Sequence, residues 1–225
     1  MDSPPSEPVR RTLELCAREI GGKWFAFAHA GNGLAATAVG PTRERTLDSL
    51  RRGLPSGLAQ RVAEEHRGEL GDETFALLAA LESGNEEQKE FALDRDLIGE
   101  PFAAILEVAS AIPLGYVTTY GDVARVAGAE ARDVGGAMAR NPLYPIVPCH
   151  RVVGAGFALV GYAGSRGTAA LRAKLDRLSR EARGVPSERD VPLDGGPLRV
   201  YPVERAIAQA RRHGLGEDRQ RSLFE

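Results

Sequence analysis

The chain has 225 residues with 29 Lys+Arg, 31 Asp+Glu and 43% apolar residues, the balance of a folded globular protein rather than a disordered or fibrous one. No apolar run is long enough to span a bilayer. The start Met1-Asp2-Ser3-Pro4-Pro5 lacks a basic stretch followed by an apolar one, so no signal peptide and no membrane partner are expected, and the cytoplasm is the expected compartment. The length suits one large domain or two small ones.

The near-neutral total hides an uneven distribution. Residues 1–100 carry 12 basic and 18 acidic groups, residues 101–184 carry 10 and 6, and residues 185–225 carry 7 of each. The middle segment is therefore locally positive, which permits contact with a polyanion without proving it.

In chain order, a Pro/Ser leader precedes residues 10–20, whose Leu13, Leu15, Cys16 and Ile20 read as a helical apolar stripe. Lys23–Ala30 alternates in part and is aromatic, so it reads as a strand. Asn32-Gly33 signals a turn, and residues 34–39 suit the second strand of a hairpin. Thr42 is a plausible N-cap for a helix to Arg52. Residues 58–66 and 73–81 read as short helices, the second broken by Ser83-Gly84-Asn85. Residues 86–96 are charged, with 91–94 as a possible strand.

A boundary falls near Gly99-Glu100-Pro101. Residues 102–112 carry an apolar stripe of helical period, which Pro113 and Gly115 end. Residues 117–120 are extended. Thr119 can cap a helix over Tyr120–Ala127, ended by Gly128, and a second helix follows over 129–140, ended by Asn141-Pro142. Two helices about a tight turn make a helix-turn-helix outline, weak evidence of nucleic-acid binding when it stands alone. A glycine-rich loop spans 154–167 and a helix 168–182. The tail, 185–225, holds a short strand at 198–201 and a helix at 202–212.

The only cysteines are Cys16 and Cys149, and a reducing compartment disfavours a disulfide between them. Cys16 reads as core. Cys149 sits between Pro148 and His150 in a stretch that must be irregular, because proline excludes regular pairing. From the residues alone, nucleophile and buried small hydrophobe stay equally open. Cys16, His29 and His66 are too widely spaced for a metal site, so no metal is expected. Gly135-Gly136-Ala137 lie inside a helix, each glycine costing about 1 kcal/mol relative to alanine, and their smoothness suits close approach by a backbone or a DNA groove. For Arg132, Lys174, Asp176 and Glu181 the default reading is solvated surface charge, and for Tyr120 core packing.

Three motifs in sequence change the weighting. Ile112-Pro113-Leu114-Gly115-Tyr116-Val117-Thr118-Thr119-Tyr120, then Arg132-Asp133-Val134-Gly135-Gly136-Ala137-Met138-Ala139-Arg140-Asn141-Pro142, then Pro148-Cys149-His150-Arg151-Val152 strongly resemble the O6-alkylguanine-DNA alkyltransferases, the methylated-DNA–protein-cysteine methyltransferases. The resemblance covers residues 99–184. It implies an α/β (α+β) chain: a variable RNase H-like α/β domain over 1–98, a mostly helical, winged helix-turn-helix-like DNA-binding and alkyltransferase domain over 99–184, and an extension over 185–225 outside the resemblance.

The resemblance also implies roles. Arg132 is the finger that fills the place of a flipped base, and Tyr120 crowds the 3′ phosphate and serves as a proton donor. Ala131, Gly135, Arg140 and Arg151 join Arg132 and Tyr120 in binding DNA through the minor groove. Cys149 accepts the alkyl group, His150 takes its proton through water, and Glu181 orients His150. Asn141 braces the turn and Lys174 supports the site. Met138, Val152, Tyr162 and Ala163 form the substrate pocket. The partner is double-stranded DNA containing O6-alkylguanine, the protein acts once, as a monomer, and needs no cofactor.

The sequence departs from the family at Glu100-Pro101, at Asp133 beside the finger, and at Tyr144 in place of a proline. The loop from Tyr162 to Lys174 is about five residues longer than usual, which leaves Asp176 as the rival to Glu181. An alkyltransferase-like lesion binder that transfers nothing is the second reading, although such proteins lack the cysteine. A Cys149–His150 hydrolase is the third.

Overall fold

The computed structural model describes residues 12–31, 33–63, 69–84, 91–184 and 187–215. The Pro/Ser leader, Asn32, His66, Asn85 with the charged run to residue 90, and residues 216–225 lie outside the described residues.

The first half is built on one sheet. Strands β1 (Thr12–Ile20), β2 (Lys23–Ala30) and β3 (Gly33–Gly40) form an antiparallel meander, and β4 (Ala59–Val62) pairs parallel to β1, giving the order β3-β2-β1-β4. Helix α1 (Arg43–Arg52) starts where the Thr42 hydroxyl accepts the Arg45 amide at 3.3 Å. It packs Leu47 and Leu50 against Leu13, Leu15, Ala26 and Ala28 on one face of the sheet. Helix α2 (Glu69–Glu82) covers the other face, where Phe75, Leu77 and Leu78 meet Cys16, Phe25 and Phe27. The Phe27 and Phe75 rings meet edge-on with centroids 5.1 Å apart. These elements form the α/β unit of the first half.

Residues 10–20 are thus a strand from Thr12 onward, not a helical stripe. Both faces of β1 are covered, so Leu13 and Leu15 point one way and Cys16 the other. A strand buried on both sides loses the alternation that would mark it. The helix expected over 58–66 is, in its described part, the edge strand β4. Its side chains are mostly exposed, and only the ladder with β1 makes it a strand. Residues 91–94 form a single bridge, Leu93 to Leu34, rather than a strand.

The second half follows the predicted order closely. Short α3 (Arg95–Ile98) leads into α4 (Phe102–Ser110), β5 (Tyr116–Thr119), α5 (Tyr120–Ala127) and α6 (Ala131–Ala139). Thr119 caps α5, its hydroxyl accepting the Asp122 amide at 3.1 Å. Gly128 closes α5 in the left-handed conformation, φ 64°, its amide bonded to the Ala124 carbonyl. Strand β6 (Val152–Val153) pairs parallel to β5, and α7 (Thr168–Glu181) follows the loop.

The tail completes this sheet. Strand β8 (Leu198–Pro202) pairs antiparallel to β5, β7 (Arg189–Val191) pairs with β8, and the order is β6-β5-β8-β7. Helix α8 (Val203–Arg212) packs Val203, Ala206, Ile207 and Ala210 with Leu175 and Leu178 of α7. The first sheet also holds the second half. Thr37 of β3 takes the Pro142 carbonyl through its amide at 2.7 Å and the Tyr144 carbonyl through its hydroxyl at 2.8 Å. Among the described residues no helix is long and apolar enough to cross a membrane.

The tail approaches α5 so closely that a Cβ at Gly195 would stand 2.2 Å from the Val126 carbonyl oxygen. Gly195→Ala is expected to lower folding stability by roughly 1–3 kcal/mol, read as a lower urea midpoint. An unchanged midpoint would mean that the tail does not dock on α5 in solution.

Candidate functional site

Cys149, His150 and Arg151 form one turn of 3₁₀ helix between Pro148 and β6. Pro148 rules out a strand there, and the β5 ladder recaptures the chain at Val152. The turn is anchored from behind by Asn141, whose amide donates to the Val147 carbonyl at 2.7 Å while its oxygen accepts the Leu143 amide at 2.9 Å. The Asn141 amide also stands near Cys149, where it favours the thiolate.

His150 is buried, and its Nε2 lies 2.6 Å from Glu181 Oε1. A carboxylate can only accept, so Nε2 carries the proton and Nδ1 holds the lone pair. Nδ1 is buried with no partner among the protein's atoms. Arg151 grips the same carboxylate, Nε to Oε2 at 2.8 Å and a terminal nitrogen to Oε1 at 3.1 Å, and gives its other terminal nitrogen to the Ile112 carbonyl at 2.6 Å. Asp176, the rival acid, is exposed. Glu181 is the carboxylate at His150 because the longer loop moves the register of α7 by more than one turn.

Arg151, expected to bind DNA, is instead turned inward onto Glu181 and Ile112. Its side chain is only 12% exposed and its donors are taken up by Glu181 and Ile112. A carboxylate buried beside it holds a guanidinium more firmly than solvent-exposed phosphates would.

Lys174 is buried on α7, its ammonium donating to the carbonyls of Val152 at 2.6 Å and Gly161 at 3.1 Å. It lies 5.9 Å from the centre of the Tyr120 ring. Val152 is wholly buried and does not line the cleft in front of Cys149. It contributes its carbonyl to Lys174 instead, because the β5 ladder turns its side chain into the core.

That cleft has a volume of about 640 Å³. Cys149 and Met138 lie in its wall with Tyr120 at the start of α5. Ala131, Arg132 and Gly135 of α6 line it on one side, and Arg132 and Ala131 are exposed. A Cβ at Gly135 would meet nothing within 4 Å, so packing inside the protein does not require that glycine. Arg140, also exposed, closes α6 but does not line the cleft. Asp133 accepts the Glu130 amide at 3.4 Å and so closes the first turn of α6.

The loop forms the opposite wall. Tyr162 and Ser165 exchange backbone hydrogen bonds at 2.9 and 3.0 Å, which holds Ala163 in the left-handed region at φ 49°. Val160 and Arg166 line the cleft as well, although neither was expected there. Val160 is 46% exposed. No motif marked them, since the longer loop that carries them has no counterpart in the three motifs.

The electrostatics favour a resting thiol. Burial pushes the Cys149 thiol up, while the Asn141 amide and the charges of Lys174 and Arg177 pull it down. Burial holds His150 below its ordinary 6.5 despite Glu181, so the imidazole is neutral at pH 7. Burial brings Lys174 down to about 8. Burial would raise Glu181, but the hydrogen bonds and charges of His150 and Arg151 outweigh it and bring the carboxyl to about 2. Burial and the nearby thiolate raise the Tyr120 hydroxyl, which keeps its proton at neutral pH. Among the described residues no group of three His, Cys, Asp or Glu side chains could hold a metal ion.

Fold and site together define a helix-turn-helix domain with a buried cysteine and a neutral, carboxylate-oriented histidine beside an open cleft. Residues 100–183 match the family described as 6-O-methylguanine DNA methyltransferase, DNA binding domain. The chain is 42% identical over 102 residues to the methylated-DNA–protein-cysteine methyltransferase of Mycobacterium leprae, covering 44% of this chain and 59% of that one. It is 42% identical over 83 residues to the constitutive enzyme of that name from Bacillus subtilis, covering 36% of this chain and 50% of that one. The matched stretch thus spans half to three-fifths of these curated relatives. The crystal structure of Mycobacterium tuberculosis OGT in complex with DNA superposes with a TM-score of 0.52 at 26% identity, over 75% of this chain and 92% of that one.

The Glu181 site makes stability pH-dependent with one sign. His150 and Glu181 both have native values below their ordinary 6.5 and 4.5, so the unfolded chain binds more protons and acid favours unfolding. Stability is expected to fall from about pH 6.5 downward, with the carboxylate's share present above 4.5 and lost toward 2. Glu181→Gln should cost roughly 1–3 kcal/mol at pH 7. The gap to wild type should narrow below pH 4.5 in urea titrations, and a gap constant with pH would contradict the buried ion cluster.

Proposed function

We propose that this chain is a DNA-repair protein that removes the alkyl group of O6-alkylguanine, and of O4-alkylthymine, from duplex DNA onto its own Cys149. The observation that carries the reading is the assembly at the cleft floor: Cys149 held by Asn141, next to a neutral His150 whose proton lies on the Glu181 side.

The damaged base lies inside the stack, so it must rotate out before the thiol can reach it. Exposed Arg132 takes the vacated place, and the glycine-smooth face of α6, with Ala131 and Gly135, lies in the minor groove. Arg140 contacts the phosphates at the end of that helix. Tyr120 crowds the 3′ phosphate and, keeping its proton, donates to the departing base. Met138, Tyr162 and Ala163 enclose the alkyl group.

The chemistry balances without a cofactor. As the Cys149 sulfur bonds to the alkyl carbon, the carbon–O6 bond breaks and the electron pair leaves with guanine. His150 Nδ1 takes the thiol proton through a water, and the Glu181 carboxylate stabilises the imidazolium. Lys174, positive beside the sulfur, eases formation of the thiolate. The thioether product has no route back, so each molecule reacts once. We assign the variable domain to 1–98 and the DNA-binding and transfer domain to 99–184. The tail, 185–225, completes the sheet that carries Cys149, and the monomer suffices.

Incubation with a duplex containing O6-methylguanine is expected to add one methyl mass to the peptide that contains Cys149. Cys149→Ala should abolish transfer while retaining lesion binding. An unmodified peptide after full exposure, with lesion binding intact, would favour the non-transferring lesion binder instead.

Arg132→Ala is expected to slow repair of duplex DNA at least tenfold, and to change reaction with free O6-benzylguanine far less. Equal losses in the two assays would remove Arg132 from the flipping step.

A further inference from the structure

Arg177 has been assigned no role in the transfer above, yet it reaches from α7 toward Tyr144 and the first sheet. It stands one turn after Lys174 on the same face of α7. Its guanidinium donates to the Tyr144 hydroxyl and lies 4.7 Å from the centre of that ring. The Tyr144 hydroxyl donates in turn to Glu82 Oε2 of α2 at 2.7 Å, while Lys23 of β2 holds Glu82 Oε1 at 2.9 Å. Arg177 also comes close enough to Tyr162, in the wall of the Cys149 cleft, for its charge to act on that hydroxyl.

A second cavity, of about 670 Å³, is lined by Glu82, Tyr144, His150, Arg177 and Glu181, and shares no lining residue with the cleft. Arg177 lines this cavity while Tyr162 lines the cleft. Its planar fork of donors can serve two hydroxyls in fixed directions, which the single ammonium of a lysine cannot.

We propose that Arg177 is a positioning residue that fixes Tyr162 as a wall of the Cys149 cleft and sets a permanent positive charge near the thiol, held in place through Tyr144 by Glu82 of the first domain. The functional consequence rests on the transfer reading, whereas the effect on the thiol does not. The groups acting on Cys149 are Asn141, Lys174 and Arg177, with His150 adjacent in sequence and Tyr120 and Tyr162 across the cleft. Burial pushes the thiol up, and Arg177 opposes it together with Lys174. Tyr162 feels the same charge, which works against the rise that burial brings. Tyr144 stands where the family has a proline, so this link belongs to this chain.

The test is the pH profile of Cys149 modification by iodoacetamide, in which sulfur displaces iodide, followed by peptide mass on the full chain. Arg177→Gln should move the midpoint upward by roughly one pH unit and slow methyl transfer about tenfold. Arg177→Lys should restore the profile but slow transfer of a benzyl group more than of a methyl group. Tyr144→Phe, which cuts the link to Glu82 with one atom removed, should move the midpoint in the same direction as Arg177→Gln, and it serves alone if that variant does not fold. Unmoved profiles in the folded variants, with only a lower melting temperature, would reduce Arg177 to a structural brace and overturn the proposal. A wild type that gives the expected thiol profiles but takes no methyl from DNA would refute transfer and leave the Arg177 assignment standing.

Discussion

The half-buried carboxylate of Glu181 is the constraint on which the reactive end of the molecule depends. It lies between two cationic or potentially cationic groups, His150 and Arg151, and bonds to both. A buried charge of this kind is tolerated only when it is paired and hydrogen-bonded, and removing one partner leaves the other stranded. The pairing fixes the end of α7 against the 3₁₀ turn, selects the tautomer of His150, and draws Arg151 inward to the Ile112 carbonyl. One carboxylate therefore sets the backbone path, the protonation state and the orientation of the residues on either side of the reactive turn.

The cysteine itself is set in tension. Burial disfavours its thiolate, while Asn141, Lys174 and Arg177 favour it. Such a thiol rests protonated and gives up its proton only when a base and an electrophile meet at the cleft. For the single-use acceptor proposed above, this would protect against waste on stray electrophiles. Lys174 shows the cost of the arrangement: its ammonium is almost fully buried and is compensated by two carbonyls rather than by a counter-ion.

Neither the first sheet nor the strands β7 and β8 are peripheral to this site. The first sheet holds the 141–148 connection through Thr37, and reaches the cleft wall through Glu82, Tyr144 and Arg177. The tail supplies β7 and β8, so the strand preceding the helix-turn-helix is buried between β6 and β8 and not left as an edge. An unpaired β5 would expose its backbone donors and acceptors beside the cleft.

The sequence by itself determined the second half of the fold. Thr119, Gly128 and Asn141-Pro142 are local signals, each acting within a few residues, and α5 and α6 lie between them as read. The order of the three motifs was enough to single out Cys149, Tyr120, Arg132 and Asn141. Tertiary structure decided what local signals cannot carry. Strand β1 is buried on both faces, so its pattern mimicked a helix, and β4 exists only through its ladder. The choice of Glu181 over Asp176 depended on how far the longer loop displaced α7. Arg151 became a brace and Val152 a core residue because the parallel ladder and a distant carboxylate set their directions. Arg177 was invisible for the same reason: its partners Glu82, Tyr144 and Tyr162 are far apart in sequence and meet only when both sheets are packed.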